Sequence, residues 1–416
     1  MADTGVAARF IDSPAIAVLL IAVALAVASV LVRVVPAIRR TQTHDESGRQ
    51  PAIDGLRGFL GISVFVHHTV ITWFLLHGDP WQLPPSRFIV HAGQTSVALF
   101  FMITAFLFWG RVLDRRGDMN WTGFAISRLY RLYPAYLMLV GLLLTAALAV
   151  TLSSQPAVSG PVAGPLMDWL MFTMFGAPDL NGLPATYLLV AGVTWSLRYE
   201  WLFYLALPLI AFLTGCSRRP GPALLSAAAV GAIFWRLHWH NTFDPHILLA
   251  FAGGMAAAHF QRMAGLAAFG RTSTAGLAGI VALALAIGLL PTAYMWQATA
   301  GLTLFFTVVA SGNSLWGLLL MPGLLWLGEI TYSIYLLHGF FLWLVLRCIL
   351  PHALAANGFV FIASVTAIGA GLVLAASVVF LTIERPAVLL GQRRSRRSGL
   401  RRADAVPAGS VPRPRS

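Results

Sequence analysis

The chain has 416 residues, of which 58% are hydrophobic and only 10% are charged, and its formal net charge is +13. Soluble domains carry about a quarter charged residues, so this composition excludes an ordinary soluble protein. The basic residues form short clusters between apolar stretches. This is the pattern of cytoplasmic loops in membrane proteins, and it argues against a nucleic-acid-binding protein.

The apolar stretches predict an all-α, polytopic transmembrane helical bundle, because each is close to the roughly 20 residues that a bilayer-spanning helix needs. We predict about eleven spans in a bacterial-type inner membrane, with the N-terminus outside and the C-terminus cytoplasmic, because basic clusters follow the first, third, fifth and last spans. The predicted spans are residues 15–35, 56–76, 95–109, 134–152, 187–213, 222–238, 245–261, 273–290, 292–311, 324–350 and 358–383.

The predicted organisation has three parts. Residues 1–50 hold an additional N-terminal transmembrane helix and a cytoplasmic linker, and residues 51–386 form the main transmembrane domain. The arginine-rich residues 387–416 are predicted to be a disordered cytoplasmic tail that contacts anionic lipid. The longest predicted external loop covers 153–184, with a short interfacial helix at 166–175. Neither cysteine lies in a metal-ligand spacing, so no metal is expected.

Ionisable residues inside apolar segments are candidate functional groups, since each costs about 2.5–3.5 kcal/mol at the centre of a bilayer. Arg57 and His68 are eleven positions apart, so an α-helix places them on one face, about 16 Å apart along its axis. His68 then lies near half the depth of the bilayer, while His67 points roughly 80° away. A buried histidine can act as a general base. The alternative is a histidine that only packs helices together.

Arg128 and Arg131 share a helix face directly before Pro134, on the predicted cytoplasmic side. Arginine pairs with phosphate in bidentate fashion, and the start of a helix adds a favourable dipole. The pattern therefore predicts a site for a phosphate-bearing ligand. The alternative is the ordinary basic flank of a transmembrane span.

Three further ionisable positions stand out. Glu200 lies in an aromatic, apolar segment, so it must pair with a cation or be protonated; it either orients a catalytic group or forms a structural ion pair. His338 is predicted to hydrogen-bond substrate or backbone inside a long apolar helix, on the side opposite Glu329. Glu384 and Arg385 are predicted to end the last span with a local ion pair.

Taken in order, these motifs resemble the membrane acyltransferase-3 family over about residues 51–386. Six elements match in the family's order. They are Arg57 with His68 in IDGLRG-x₉-H, FFMITAFL at 100–107, Arg128-x₂-Arg131-x₂-Pro134, Trp195, Ser196, Leu197 and Glu200 in WSLxxE, Tyr332, Ser333, Tyr335 and His338 in YSxYLLH, and Glu384–Pro386. FFMITAFL departs at Thr104 and Ala105, where the family usually has serine and glycine. The predicted first helix lies outside the family's usual ten-span core.

The resemblance implies an O-acyltransferase that moves an acyl group, with acetyl expected, from acyl-CoA to a hydroxyl of a cell-surface glycan or similar glycosylated acceptor. It implies a reaction centre at Arg57 and His68 that Glu200 orients, and donor phosphates at Arg128 and Arg131. Substrate or structural roles fall to His338, Asp54, Trp195, Ser196 and Tyr332. The expected partners are acyl-CoA, a carbohydrate and membrane lipid.

Two alternatives remain open from the sequence. A transporter or flippase for a lipid-linked sugar or small anion would use the same buried His, Glu and Arg as a relay, although no internal repeat is evident. An acyltransferase that acts on a secondary metabolite would differ only in its acceptor. In either enzyme, the loop at 153–184 is where acceptor specificity is expected.

Overall fold

The computed structural model describes residues 2–43, 50–115, 117–154, 162–238 and 244–404. These residues form helices and loops without any strand, which confirms the all-α prediction. Within them, seven helices are long and apolar enough to cross a membrane, or eight if the bent pair Ala264–Gly270 and Ser273–Leu289 is one span. Two shorter apolar helices are Pro245–Phe260 and Trp296–Ala310. The chain is therefore a multi-pass membrane protein, while the predicted number of eleven spans is not confirmed.

The α-helices overlap the predicted spans, but several of their boundaries differ. The helix predicted at 134–152 begins at Trp121, so Pro134 lies inside it and Arg128 and Arg131 are not at a helix start as predicted. In chain order they are α1 (Ala2–Ile11), α2 (Pro14–Val34), α3 (Pro36–Thr43), α4 (Pro51–Leu76), α5 (Arg87–Asp114), α6 (Trp121–Ser154), α7 (Ala163–Leu170), α8 (Trp195–Leu213), α9 (Pro220–His238), α10 (Leu248–Phe260), α11 (Ala264–Gly270), α12 (Ser273–Leu289), α13 (Trp296–Ala310), α14 (Pro322–Glu329), α15 (Thr331–Trp343), α16 (His352–Ala355), α17 (Gly358–Val379) and α18 (Arg385–Asp404). Helix α7 lies within the predicted external loop and begins three residues before the short helix expected at 166–175.

Two predicted spans are interrupted. The span predicted at 187–213 begins as a helix only at Trp195, because Ala185 and Ala191 have left-handed backbone angles that close a short 3₁₀ turn. The span predicted at 324–350 is broken at Ile330, between α14 and α15. The helical spacing assumed between Glu329 and His338 therefore does not apply.

The last predicted span does not end at its proline. A π-helical turn at Phe380–Glu384 joins α17 to α18, and Pro386 is the second residue of α18. The wider π turn accommodates a residue that has no backbone N–H to donate. Residues 387–404, predicted to be a disordered tail, are thus helical, and residues 405–416 lie outside the described residues.

The glycines of the IDGLRG segment allow α4 to touch α14 and the 3₁₀ turn before it, Leu318–Leu320, directly. A Cβ atom on Gly55 would clash with the carbonyl oxygen of Leu319, and one on Gly58 with that of Leu324. From the other side, a Cβ on Gly328 would clash with the carbonyl oxygen of Asp54. This backbone contact fixes the first two turns of α4, which carry Arg57.

We expect Gly58→Ala to lower the melting temperature of the detergent-solubilised protein, because adding a methyl group to a filled contact costs about 1–3 kcal/mol. Gly141→Ala in α6 is the matched control, since no atom lies within 4 Å of its Cβ position. There, alanine favours a helix by up to about 1 kcal/mol, so the melting temperature should stay or rise. A Gly58→Ala melting temperature equal to that of the native protein would contradict the proposed close packing.

Candidate active site

Two cavities inside the bundle share Val97 of α5 and Tyr335 of α15 in their walls. One, of about 410 Å³, is called here the arginine cavity, because Arg57, Arg111, Arg128 and Arg131 line it. The other, of about 460 Å³, is called the histidine cavity, because His67 and His68 line it. The bundle thus brings a basic cavity and a cavity with imidazole groups to a common wall.

His68 is held by a second histidine from a distant helix. Its Nδ1 lies 3.0 Å from Nε2 of His338 and 3.2 Å from the carbonyl oxygen of Val64. The other ring nitrogen of His338, Nδ1, lies 3.1 Å from the carbonyl oxygen of Ile334. Helix α15 therefore positions the side chain of His68 on α4.

When both rings are neutral, these contacts assign one proton to each ring. A carbonyl oxygen can only accept, so His338 donates from Nδ1 to Ile334 and keeps a lone pair on Nε2. That lone pair accepts the Nδ1 proton of His68. The Nε2 atom of His68 is then unprotonated, as a general base requires.

Aromatic rings surround His68 on two further sides. The ring of Trp81 lies nearly parallel to it, with an interplanar angle of 12° and 5.9 Å between centroids. His67 packs edge-on, and its Nδ1 donates to the carbonyl oxygen of Ile89 at 2.8 Å. Gly93 makes room for the His67 ring, since a Cβ atom there would clash with it. Both histidines line the histidine cavity, and of the two only His68 also contacts a side chain of α15, His338.

Arg57 and His68 line different cavities. Their separation of eleven residues corresponds to about 16 Å along α4. Asp54 lies 3.6 Å from the Arg57 guanidinium, and Thr331 donates to the Arg57 carbonyl oxygen at 3.1 Å. The two residues therefore lie in neighbouring cavities, and the reaction centre expected to contain both stays a prediction.

Glu200 lines the arginine cavity, together with Arg57 and Arg128. The hydroxyl of Tyr204 donates to its carboxylate, and Thr104 lies at 3.5 Å. The group that contacts His68 is His338, while Glu200 shares a cavity with Arg57, so the orienting role expected for Glu200 stays a prediction. The sequence showed His338 in an apolar helix, but nothing in its spacing linked it to a residue 270 positions away.

The two arginines of the RxxRxxP element differ in their partners. Arg131 lies 3.1 Å from Glu384, which is fully buried and also accepts from Ser333. Glu384 thus pairs with Arg131 of α6, not with Arg385 as predicted. The guanidinium of Arg128 lies over the ring of Phe108 at 4.5 Å.

Arg128 retains a capacity for a ligand. Its Nη2 donates to the hydroxyl of Ser127 at 2.9 Å. Its Nε atom is shielded from solvent and has no hydrogen-bond partner among the described residues. A buried donor without a partner is costly, so this atom is suited to bind an anionic oxygen. Of the two arginines, Arg128 is the better placed to contact a phosphate.

The remaining predicted residues connect helices around the common wall. Tyr335 donates to the Val193 carbonyl oxygen at 2.9 Å and accepts from Ser196 at 2.7 Å. Tyr332 donates to the Leu132 carbonyl oxygen at 2.9 Å. Trp195 lines the histidine cavity, and Asp54 lines the arginine cavity. Within the described ranges, no group of three or more His, Cys, Asp or Glu side chains could hold a metal ion.

The sequence matches a family model and is similar to two rhizobial proteins. Residues 50–382 match the family model described as an acyltransferase domain. The exopolysaccharide production protein ExoZ of Rhizobium meliloti (strain 1021) is 26% identical over 317 residues, which cover 74% of this chain and 93% of that protein. Nodulation protein 10 of Rhizobium leguminosarum bv. viciae is 26% identical over 220 residues, or 50% of this chain and 57% of that protein. No solved structure matches the chain.

Proposed function

We propose that this chain, which belongs to the acyltransferase-3 family and is a membrane acyltransferase, transfers an acyl group from acyl-CoA to a hydroxyl of a cell-surface polysaccharide. The observation that carries the proposal is the common wall at Val97 and Tyr335, because it places a basic cavity next to one that contains His68. The relative named for exopolysaccharide production supports a polysaccharide as the acceptor. Acetyl is the expected acyl group.

The arginine cavity suits the phosphate groups of coenzyme A. Four arginines line it, and Arg128 has a shielded Nε without a partner in the described structure. Arginine binds phosphate oxygens through charge-assisted hydrogen bonds. The predicted cytoplasmic location of Arg128 agrees with a donor that is made in the cytoplasm, and the histidine cavity then faces the opposite side of the inner membrane.

His68 supplies the base for the transfer. Its Nε2 removes the proton from an acceptor hydroxyl, and the hydroxyl oxygen attacks the thioester carbonyl carbon. The tetrahedral intermediate collapses, the carbon–sulfur bond breaks, and the thiolate takes the proton from His68. His338 holds the ring in the required tautomer throughout, through its contact with Nδ1 of His68 at 3.0 Å.

Two measurements test this proposal. Purified protein, given acetyl-CoA and polysaccharide from a strain that lacks the protein, should release free thiol and add an acyl-sized mass to the glycan. Mass spectrometry of surface glycans should show the same mass in the parent strain and its absence in the deletion strain. Transport of a glycan without thiol release would contradict the proposal and support a flippase.

A further inference from the structure

The histidine cavity contains a cation that the proposed reaction does not use. Arg198, on the first turn of α8, lines this cavity about one helical turn from Trp195, and its Nε donates to the Trp195 carbonyl oxygen at 3.0 Å. In the described part of the chain, no carboxylate lies within 4 Å of its guanidinium. The remaining guanidinium donors of Arg198 are therefore not neutralised by an acidic side chain.

The two cavities differ in how their positive charge is balanced. The arginine cavity is lined by four arginines and also by the acidic residues Asp54, Glu200 and Glu329. Among the described residues that line the histidine cavity, by contrast, none is Asp or Glu. A cation in a partly buried site is stabilised by an anion, and here the protein supplies none.

The rest of the cavity wall suits a carbohydrate. Trp81, Tyr187 and Trp195 provide aromatic surfaces, and Gln82 and Gln94 provide amides. This combination of flat apolar faces and a few polar groups is typical of sites for small polar ligands.

Tyr294 also lines the cavity. Its hydroxyl is shielded from solvent and has no hydrogen-bond partner in the described ranges. Such a group gains from a ligand that can bond to it.

We infer that the acceptor carbohydrate carries an anionic group, a carboxylate or a phosphate, and that the guanidinium of Arg198 binds it. The inference rests on the proposed function, since it assigns the histidine cavity to the acceptor. Arginine forms two parallel hydrogen bonds with either anion, so both sources share one chemistry. Arg198 is then a specificity-determining residue that selects acidic over neutral acceptors.

The test compares three ligands that share one pyranose ring and differ at C6. They are methyl β-D-glucopyranoside, methyl β-D-glucuronide and methyl β-D-glucopyranoside 6-phosphate. Binding to the purified full-length protein is measured by isothermal titration calorimetry. We expect at least one acidic ligand to bind about 10-fold more tightly than the neutral one, as a charge-assisted pair predicts.

Variants then assign that preference to one side chain. Arg198→Gln should reduce it to within about 2-fold, and Arg198→Lys should retain part of it, because lysine keeps the charge and loses the bidentate geometry. Arg87→Gln is the matched control: Arg87 starts α5, whose Gly93 and Gln94 line the same cavity, but its own side chain is exposed and donates to Gly288 on the surface. That variant should keep the full preference.

The measured ligand preference either identifies the anionic group or overturns the inference. A preference for the uronide alone identifies a carboxylate, and a preference for the sugar phosphate alone identifies a phosphate. Equal binding of all three ligands, no binding of any, or a preference that survives in Arg198→Gln overturns the inference. Thiol release from acetyl-CoA is measured separately, so thiol release together with equal ligand binding refutes only the role of Arg198. A selective ligand preference without any thiol release refutes only the acyl transfer.

Discussion

His68→Ala is expected to reduce the turnover number for acyl transfer by about 10²–10⁴-fold, the usual contribution of a general base. The variant loses the Nε2 atom that takes the proton from the acceptor hydroxyl. Its KM for acetyl-CoA should change little, because Arg57, which lines the arginine cavity, is about 16 Å from His68 along α4. Thiol release measured against acetyl-CoA concentration gives both constants.

The control for this variant is His77→Ala. His77 lies at the end of the same helix, bonds to the carbonyl oxygen of Trp73 at 2.8 Å and lines neither cavity. Its removal should leave turnover within about 2-fold of the native rate. Membrane insertion and yield of both variants are compared first, by detergent extraction and size-exclusion chromatography. A His68→Ala variant that folds and turns over normally would remove His68 from the mechanism.

In the proposed mechanism His338 positions His68, so replacing His338 should reduce turnover less than replacing His68, and a conservative variant should restore part of the rate. His338→Ala is expected to reduce turnover by about 10-fold to 100-fold, because His68 loses the acceptor that fixes its tautomer. His338→Gln keeps a side-chain oxygen that can accept from Nδ1 of His68 and should recover part of the rate. If the alanine and glutamine variants had equal activity, the contact between the two rings would serve packing only.

The sequence identified candidate groups but not their partners. His68 was selected because an ionisable residue within an apolar helix is costly, and this signal is local. Its partner His338 lies 270 positions away, and the pairing depends on how α15 packs against α4. The same limit applies to Glu384, which was matched with its neighbour Arg385 but bonds to Arg131 of α6.

Helix boundaries show a second limit. Hydropathy located the apolar segments, yet it could not show that α14 ends at Glu329 or that α8 begins at Trp195. The first break allows α14 to contact α4 at Gly58, and the second is set by left-handed backbone at Ala191. Both depend on backbone geometry that apolar composition does not encode. The breaks matter for the site, because they place Trp195 and Tyr335 in the walls of the histidine cavity.

Arg128→Ala is expected to raise the KM for acetyl-CoA by about 10-fold to 100-fold, since a hydrogen bond to a charged group contributes about 1.5–3 kcal/mol. Turnover at saturating donor should stay within a few-fold, because Arg128 lines only the arginine cavity and His68 lines only the histidine cavity. This is the reverse of the pattern expected for His68→Ala. Initial rates of thiol release over a range of acetyl-CoA concentrations provide the measurement.

Arg128 is a cleaner probe of the donor site than Arg131. Removing Arg131 would leave the fully buried Glu384 without its cation, which typically costs about 3–5 kcal/mol of stability and would confound any change in KM. Arg219→Gln is the matched control: its partly exposed side chain pairs with Asp118 and lines neither cavity, so the KM should not change. An unchanged KM in Arg128→Ala would place the donor elsewhere. A raised KM there, together with a lowered turnover in His68→Ala, would assign the donor and the chemistry to separate cavities that meet at Val97 and Tyr335.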